Sequence, residues 1–494
     1  MNEAASRRSP LERFLGLFTE VHAGEGPITL LMAFNVFLLL TSYYLIKPVR
    51  EALILSGGGA EAKAYLVGAM AVVLFFLVAG YSKLVSRYER TRLITVVTAA
   101  FIACLVAFWL LSRMGVPYLG YVFFVWVGIF SVMVVAQFWS YANDVYNNDA
   151  GKRLFPLVAF GGSFGAFAGA YIATWLLKFI SVFEMLLVAG ALLGLCIVLT
   201  NVISKKVWGK AAMDARQREL SAKADMQDAA GGPKKKESLG FDMLFRYKYI
   251  GLIALLILLL NLVNTTGEYI LGHLVEGHGE ATAEEVIQAA IGSGTTASIS
   301  GQEFGDPTAP ETREDIEGNV IGRFYASFFL WVNLLGMFMQ LFVVGRLVKY
   351  FGVRAGLLWL PIVALGSYAL IFAIPLIRYA RIGKTIENAS DYSINKTTLQ
   401  MLFLPTTREI KYKAKQVTDS FMQRIGDVGS AIVVFLGTVP FTFGTRGFAA
   451  LNLGIILAWL VVVLMIVREH AEIEKGNRPE ITGSREKARE PAAS

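Results

Sequence analysis

The sequence is short of charge, of cysteine and of polar surface. Charged residues make up 17% of its 494 residues against 55% hydrophobic, too little polar side chain to cover a globule of that size, so a soluble enzyme is excluded. The two cysteines, Cys104 and Cys196, both lie inside apolar blocks, which excludes a secreted disulfide scaffold. No Gly-Lys-Ser/Thr element follows a glycine-rich stretch, so the chain is not an ATPase of the Walker type. No catalytic residue, cofactor or metal site is expected. Residues 10–21 carry no small-residue cleavage site, and a cleaved leader is not expected.

What is present is a series of apolar blocks about 20 residues long, the length that crosses a hydrocarbon core of about 30 Å. Twelve are read, at 28–46, 65–82, 93–112, 118–142, 156–177, 182–203, 249–272, 324–345, 353–377, 383–404, 425–443 and 448–467. The tenth is the weakest, because Glu387, Asp391 and Lys396 fall inside it. The expected fold is an all-α polytopic membrane protein with the lipid bilayer around it. Ahead of the first block, residues 10–21 have an apolar face at helical spacing suited to the membrane interface.

Lysine and arginine set the orientation. Residues 205–248 hold eleven Lys or Arg against six acids, whereas residues 273–318 hold ten acids against the single Arg313. With twelve spans, the basic segments all fall on one side, which places both termini and the middle loop in the cytoplasm of a bacterial inner membrane and the acidic segment outside. The net charge of +8 is then that of cytoplasmic loops, and nucleic acid is not a partner. The acidic segment is rich in Gly, Ser, Thr and Glu, so it is expected to be mobile.

An internal repeat organises these spans. Lys83-Leu84-Val85-Ser86-Arg87-Tyr88 resembles Arg346-Leu347-Val348-Lys349-Tyr350 at an offset of 346 − 83 = 263, and Lys152 and Lys415, upstream of Gly162 and Gly426, repeat it as 415 − 152 = 263. Arg50-Glu51-Ala52-Leu53-Ile54-Leu55 resembles Gly267-Glu268-Tyr269-Ile270-Leu271 at an offset of 217, and 263 − 217 = 46 is the length of segment 273–318. A duplicated six-helix unit with one insertion follows. Two pseudo-symmetric six-helix bundles joined by a basic cytoplasmic loop form the layout of the major facilitator superfamily, whose substrate sits near the midplane between the halves. The expected organisation is a cytoplasmic N-terminus at 1–27, a bundle at 28–204, a linker at 205–248, a second bundle at 249–468 carrying the insertion 273–318, and a disordered tail at 469–494. A monomer is expected.

Charge inside a span is costly and usually functional. Lys47, Arg50 and Glu51 lie within one turn of the first span, with both cations on one helical face, an arrangement suited to gripping a phosphate. A helix end whose cations snorkel to outer headgroups would leave the same residues. Trp139, Tyr141 and Asn143 close the fourth span, where they could stack on and hydrogen-bond a base or form an interfacial belt. The glycines of 161–169 allow close helix packing. The seventh and tenth spans are unusually polar, with Asn261, Asn264 and Glu268 in one and Asp391, Asn395, Lys396 and Gln400 in the other. This concentration is read as cavity lining. Asp144, Lys152, Arg153, Glu409, Lys415, Asp419 and Arg424 at the cytoplasmic span ends are the expected gate, holding the bundles together when the outside is open.

At these residues the chain resembles the ATP:ADP antiporter family of nucleotide exchangers. Residues 43–55 are similar to the family's first-helix pattern, with Lys47, Arg50 and Glu51 at its basic, basic and acidic places. Phe138-Trp139 with Ala142-Asn143, then residues 150–155, resemble its fourth and fifth helices, and Leu404-Pro405, Glu409, Lys411, Lys413, Lys415, Asp419, Arg424, Gly426, Gly429 and Ser430 resemble the stretch after its tenth. The resemblance implies an alternating-access secondary transporter whose partner is a small anionic substrate, a nucleotide or related phosphorylated anion. Against the family pattern, Leu399 and Gln400 stand where ATP exchangers carry a Lys-Glu pair, Asn264 and Glu268 replace charged residues of the seventh helix, and Val127 replaces a glutamate in the fourth. The residues thus favour a cargo less charged than ATP⁴⁻, such as a monophosphate, and weak ATP/ADP exchange. A carrier of a different organic anion or zwitterion, and a non-transporting partner or sensor that keeps the fold, are the other readings.

Overall fold

The computed structural model describes residues 9–16, 19–87, 90–146, 148–209, 241–299, 301–407, 410, 417–478 and 481. The described residues are overwhelmingly helical. Eight of their helices are long and apolar enough to cross a membrane, and each of the twelve expected spans falls on a helical run. The counts differ for two reasons. Some spans share one helix, and the runs Ile377–Ser390 to Lys396–Leu402 and Gln423–Thr438 are absent from the eight.

The first long helix, Gly26–Arg87, is 62 residues long, about 90 Å at 1.5 Å per residue and far more than one bilayer crossing. It divides at Gly59, whose φ of 76° and ψ of 175° are non-helical and open to glycine because no Cβ is present. Glu276 of helix Lys248–Ser293 meets the kink and accepts the N–H of Ala60 at 3.0 Å, as a carboxylate does at a helix start. Gly352 divides Val344–Ala373 in the same way, with φ 71° and ψ −175°.

The chain forms two compact units. The first comprises residues 1–57, 74–233 and 279–333. In it, helices Arg90–Arg113, Leu119–Val145, Asn148–Leu176 and Met185–Trp208 pack with the start of Gly26–Arg87. Lipid offers no hydrophobic drive between helices, so small residues and side-chain hydrogen bonds hold the contacts. Gly161, Gly165 and Gly169 present one bare stripe, where a Cβ would strike the backbone carbonyls of Ala33, Phe37 and Thr41. Asn35 donates to Thr200 at 2.9 Å, and Ser42 donates to the carbonyl of Ala189 at 2.9 Å.

Apolar residues of the N-terminal segment pack on the protein. Leu15 and Val21 are buried against Ala150 and Leu154. Arg153 fastens the segment through Glu25, at 3.0 and 2.9 Å, and through the carbonyl of Glu20 at 2.7 Å. The Arg153 hydrogen bonds hold the Glu25 carboxyl below its ordinary value, ahead of an opposing contribution from burial. A depressed carboxylate stabilises above its unfolded pKa and loses that contribution as pH falls through the lower folded value. Limited proteolysis within residues 10–25 should therefore quicken below about pH 4, and Arg153→Ala should make it fast at neutral pH.

The acidic segment is built rather than mobile. Helix Lys248–Ser293 continues well past the seventh span, an antiparallel hairpin pairs Ala297–Ile299 with Gln302–Gly305, and helix Pro310–Phe338 begins inside the segment. Ala283, Ile287, Ala290, Ala297 and Ile316 form a small core of its own. Its acids hid this core, because the apolar residues are spaced along two helices and a strand rather than gathered in a run.

The second unit comprises residues 58–73, 234–278 and 334–494. Helix Thr445–Glu474 runs into the tail expected to be disordered, and Arg478 pairs with Glu469 at 3.0 Å. Residues 210–240 of the linker and 482–494 lie outside the described residues.

Candidate functional site

In the first unit, Pro48 sits inside the helix, and its missing N–H removes one backbone bond beside Lys47. Lys47 is only 8% exposed. Its Nζ lies 4.2 Å from the ring centre of Phe329, 4.8 Å from Tyr44 and 5.5 Å from Tyr43, within cation–π range. Arg50 pairs with buried Glu51 and lays its guanidinium 5.0 Å from the Phe124 ring. Two cations of one helix therefore meet four aromatic faces, two from that helix and two from helices Leu119–Val145 and Pro310–Phe338, with a carboxylate beside them. Protein rings surround the Lys47 ammonium.

The fourth span contributes less than expected. Tyr141 is buried, and its hydroxyl meets the carbonyl of Thr200 at 3.1 Å and Ser204 at 2.7 Å, which makes it a core contact between helices rather than a base platform. Trp139 is half-buried against Phe138 and Phe155, and Asn143 is exposed. A cavity of about 20 Å³ beside Tyr141, Gln137 and Asn35 has room for about one water and none for a nucleotide.

In the second unit the polar residues of the seventh and tenth spans do converge, around a lysine that sequence reasoning passed over. Lys384, 1% exposed, donates to Glu387 at 3.0 Å and to the side chain of Asn264 at 3.0 Å, and stands 3.8 Å from Glu268. Asn388 donates to Glu268 at 3.1 Å. The tenth span thus carries a buried Lys–Glu pair at Lys384 and Glu387, upstream of Leu399 and Gln400. The signal was visible, since both lie in the span made weak by its charges. Gly267 lets the neighbouring helices close around this cluster, because a Cβ there would overlap the Tyr368 hydroxyl and lie 3.1 Å from Lys384 Nζ. Gly267→Ala should cost about 1–3 kcal/mol of stability, read as a lower melting temperature of the purified protein.

Other second-unit candidates lie elsewhere. Asn261 bonds the carbonyl of Ile257 in its own helix and packs on Gly426, a helix crossing rather than a cavity wall. Asn395 donates to Asp391 at 2.7 Å within a π-helical turn, Asp391–Asn395. Lys396 and Gln400 are exposed. Among the gating candidates, Asp144 accepts from Arg90 at 3.1 Å inside the first unit, and Arg424 pairs with Asp427 at 3.1 Å on its own helix. Glu409 and Lys415 lie outside the described residues, as do the side chains of Lys152 and Asp419.

A chain of membrane-length helices, with charge buried inside its spans, defines a polytopic carrier. Solved transporters share the fold. The nucleoside transporter NupG aligns with a TM-score of 0.57 at 10% identity, covering 89% of this chain and 98% of that one. The xylose transporter XylE from E. coli, in an inward-open conformation, aligns at 0.52 and 12% identity, over 88% and 95%. The sequence profile of the TLC ATP/ADP transporter family matches residues 4–112 and 117–271, and the chain belongs to that family. It is a membrane transporter and not an enzyme. Its relatives include ADP,ATP carrier protein 1 of Chlamydia muridarum, 21% identical over 98% of this chain and 97% of the relative. ADP,ATP carrier protein 5 of Rickettsia felis is 22% identical over 95% and 99%.

Proposed function

We propose that the protein exchanges nucleotides across a bacterial inner membrane by alternating access, as a monomer with both termini in the cytoplasm. The observation that carries this reading is the Lys47 and Arg50 pair, two cations beside aromatic faces inside a span. Phosphate takes the charge of the ammonium and the fork of the guanidinium, and the rings offer apolar faces for a base. Lys384 does not change the charge balance that favours a cargo below ATP⁴⁻, since it is already shared between two carboxylates. Basic residues gathered at one set of span ends support the orientation.

The test is thermal stabilisation of the purified protein. A ligand at 100 times its Kd stabilises by about 2.7 kcal/mol, so AMP and ADP should raise the melting temperature of the wild type clearly and that of Arg50→Ala little. No shift with any nucleotide would remove nucleotides as the cargo.

A further inference from the structure

Helix Pro310–Phe338 reaches the Lys47 ammonium through one ring, and packing fixes that ring without help from the lysine. Gly322 of this helix lies against Gly26–Arg87, where an added Cβ would come 3.7 Å from the Ala52 side chain and 3.1 Å from Val182. Two turns further on, Phe329 meets Tyr44 edge to face, with ring centres 6.1 Å apart. The two helices therefore run antiparallel over this stretch, and Phe329, 7% exposed, is wedged among Tyr44, Tyr325 and Phe328. Tyr44 is set from the other side by Gly169 of Asn148–Leu176, where an added Cβ would lie 2.9 Å from the tyrosine's own. Of the three rings around Lys47 Nζ, Phe329 is the nearest at 4.2 Å, whereas Tyr43, at 5.5 Å, is only half-buried.

We propose that Phe329 is a positioning residue of the anion site, whose π face holds the Lys47 ammonium where a phosphate would meet it. A lysine ends in a point charge on a long flexible stem, so its use as a grip depends on something that restrains the end. A carboxylate restrains an ammonium by cancelling its charge, as Glu268 and Glu387 do for Lys384. A ring attracts it through the quadrupole and leaves the positive charge to act on an anion. The arrangement recurs one turn on, where the Arg50 guanidinium stands 5.0 Å from the Phe124 ring of Leu119–Val145. Phe329 is not itself the platform for a base, because Tyr44, Tyr325 and Phe328 fill its surroundings. Tyr43, the half-buried ring, keeps surface for that contact. The phosphate in this role rests on the nucleotide reading, whereas the attraction between ring and lysine does not.

Replacing Phe329 by phenylalanines of increasing fluorine content drains the ring's quadrupole and keeps its shape. In the purified empty protein, the melting temperature should fall along this series, and the fall should vanish in Lys47→Met. A flat series, or the same fall with and without the lysine, would overturn the attraction and the proposal with it. Equilibrium binding then reads the positioning role, with labelled ADP and with pyrophosphate, which carries the anion and no base. Along the series Kd for both should rise by up to about 30-fold, equivalent to the roughly 2 kcal/mol of a desolvated cation–π contact, and in Lys47→Met it should not change along the series. Phe329→Leu keeps apolar bulk without a π face, should weaken both probes likewise, and serves as the second variant if the fluorinated chains fail to fold. Wild-type binding that neither the series nor Phe329→Leu alters would overturn the positioning role and leave the nucleotide reading standing. A rise for ADP alone would make Phe329 a base platform and overturn the proposal. Failure of the wild type to bind either probe, with the melting series intact, would remove the nucleotide reading and the positioning role together, and leave only the contact between ring and lysine.

Discussion

Arg50→Ala should reduce nucleotide transport by roughly 10- to 150-fold while the protein still reaches the membrane. A hydrogen bond to a charged group contributes about 1.5–3 kcal/mol, and each 1.4 kcal/mol is a factor of ten. Arg50→Lys should recover part of the loss, because it restores the charge without the two-pronged geometry. Lys47→Ala should behave similarly, with an additional packing cost from the emptied space among Tyr43, Tyr44 and Phe329. The check is the initial rate of uptake into vesicles carrying equal amounts of each variant. Unchanged rates in Arg50→Ala would move the anion site away from the first helix.

The largest effect on folding is expected at Lys384. Its removal takes the shared ammonium from Glu387 and Glu268, and breaking a buried ion pair by deleting one partner costs about 3–5 kcal/mol. Lys384→Met should therefore give low yield and a strongly lowered melting temperature. Lys384→Met combined with Glu387→Gln should melt higher than Lys384→Met alone, because the second change withdraws the orphaned charge. If the two changes simply add, the residues do not act as a unit.

The spans were legible because lipid demands long apolar blocks, and that demand leaves its mark residue by residue. The division of Gly26–Arg87 at Gly59 was legible only as a loop between two blocks. Nothing local says that Glu276, more than 200 positions away, caps the kink and lets one helix run into the next. Lys47, Arg50 and Glu51 could be picked out because charge in a span is conspicuous and they are neighbours in sequence. Lys384 and Glu387 were equally conspicuous, yet their charges counted against a span, and their partners Asn264 and Glu268 sit on another helix. Tyr141 shows the opposite error. An aromatic near a span end looks the same whether it faces a substrate or, as here, seals a helix contact through Ser204 and Thr200.

Counterflow reads nucleotide exchange itself. Proteoliposomes loaded with unlabelled AMP, ADP or ATP are placed in trace labelled nucleotide with no imposed gradient. Label should accumulate transiently above equilibrium, faster with AMP and ADP than with ATP, and hardly at all in Arg50→Ala. Absence of accumulation for all three nucleotides, or accumulation that Arg50→Ala leaves untouched, would contradict nucleotide exchange through the Lys47 and Arg50 pair.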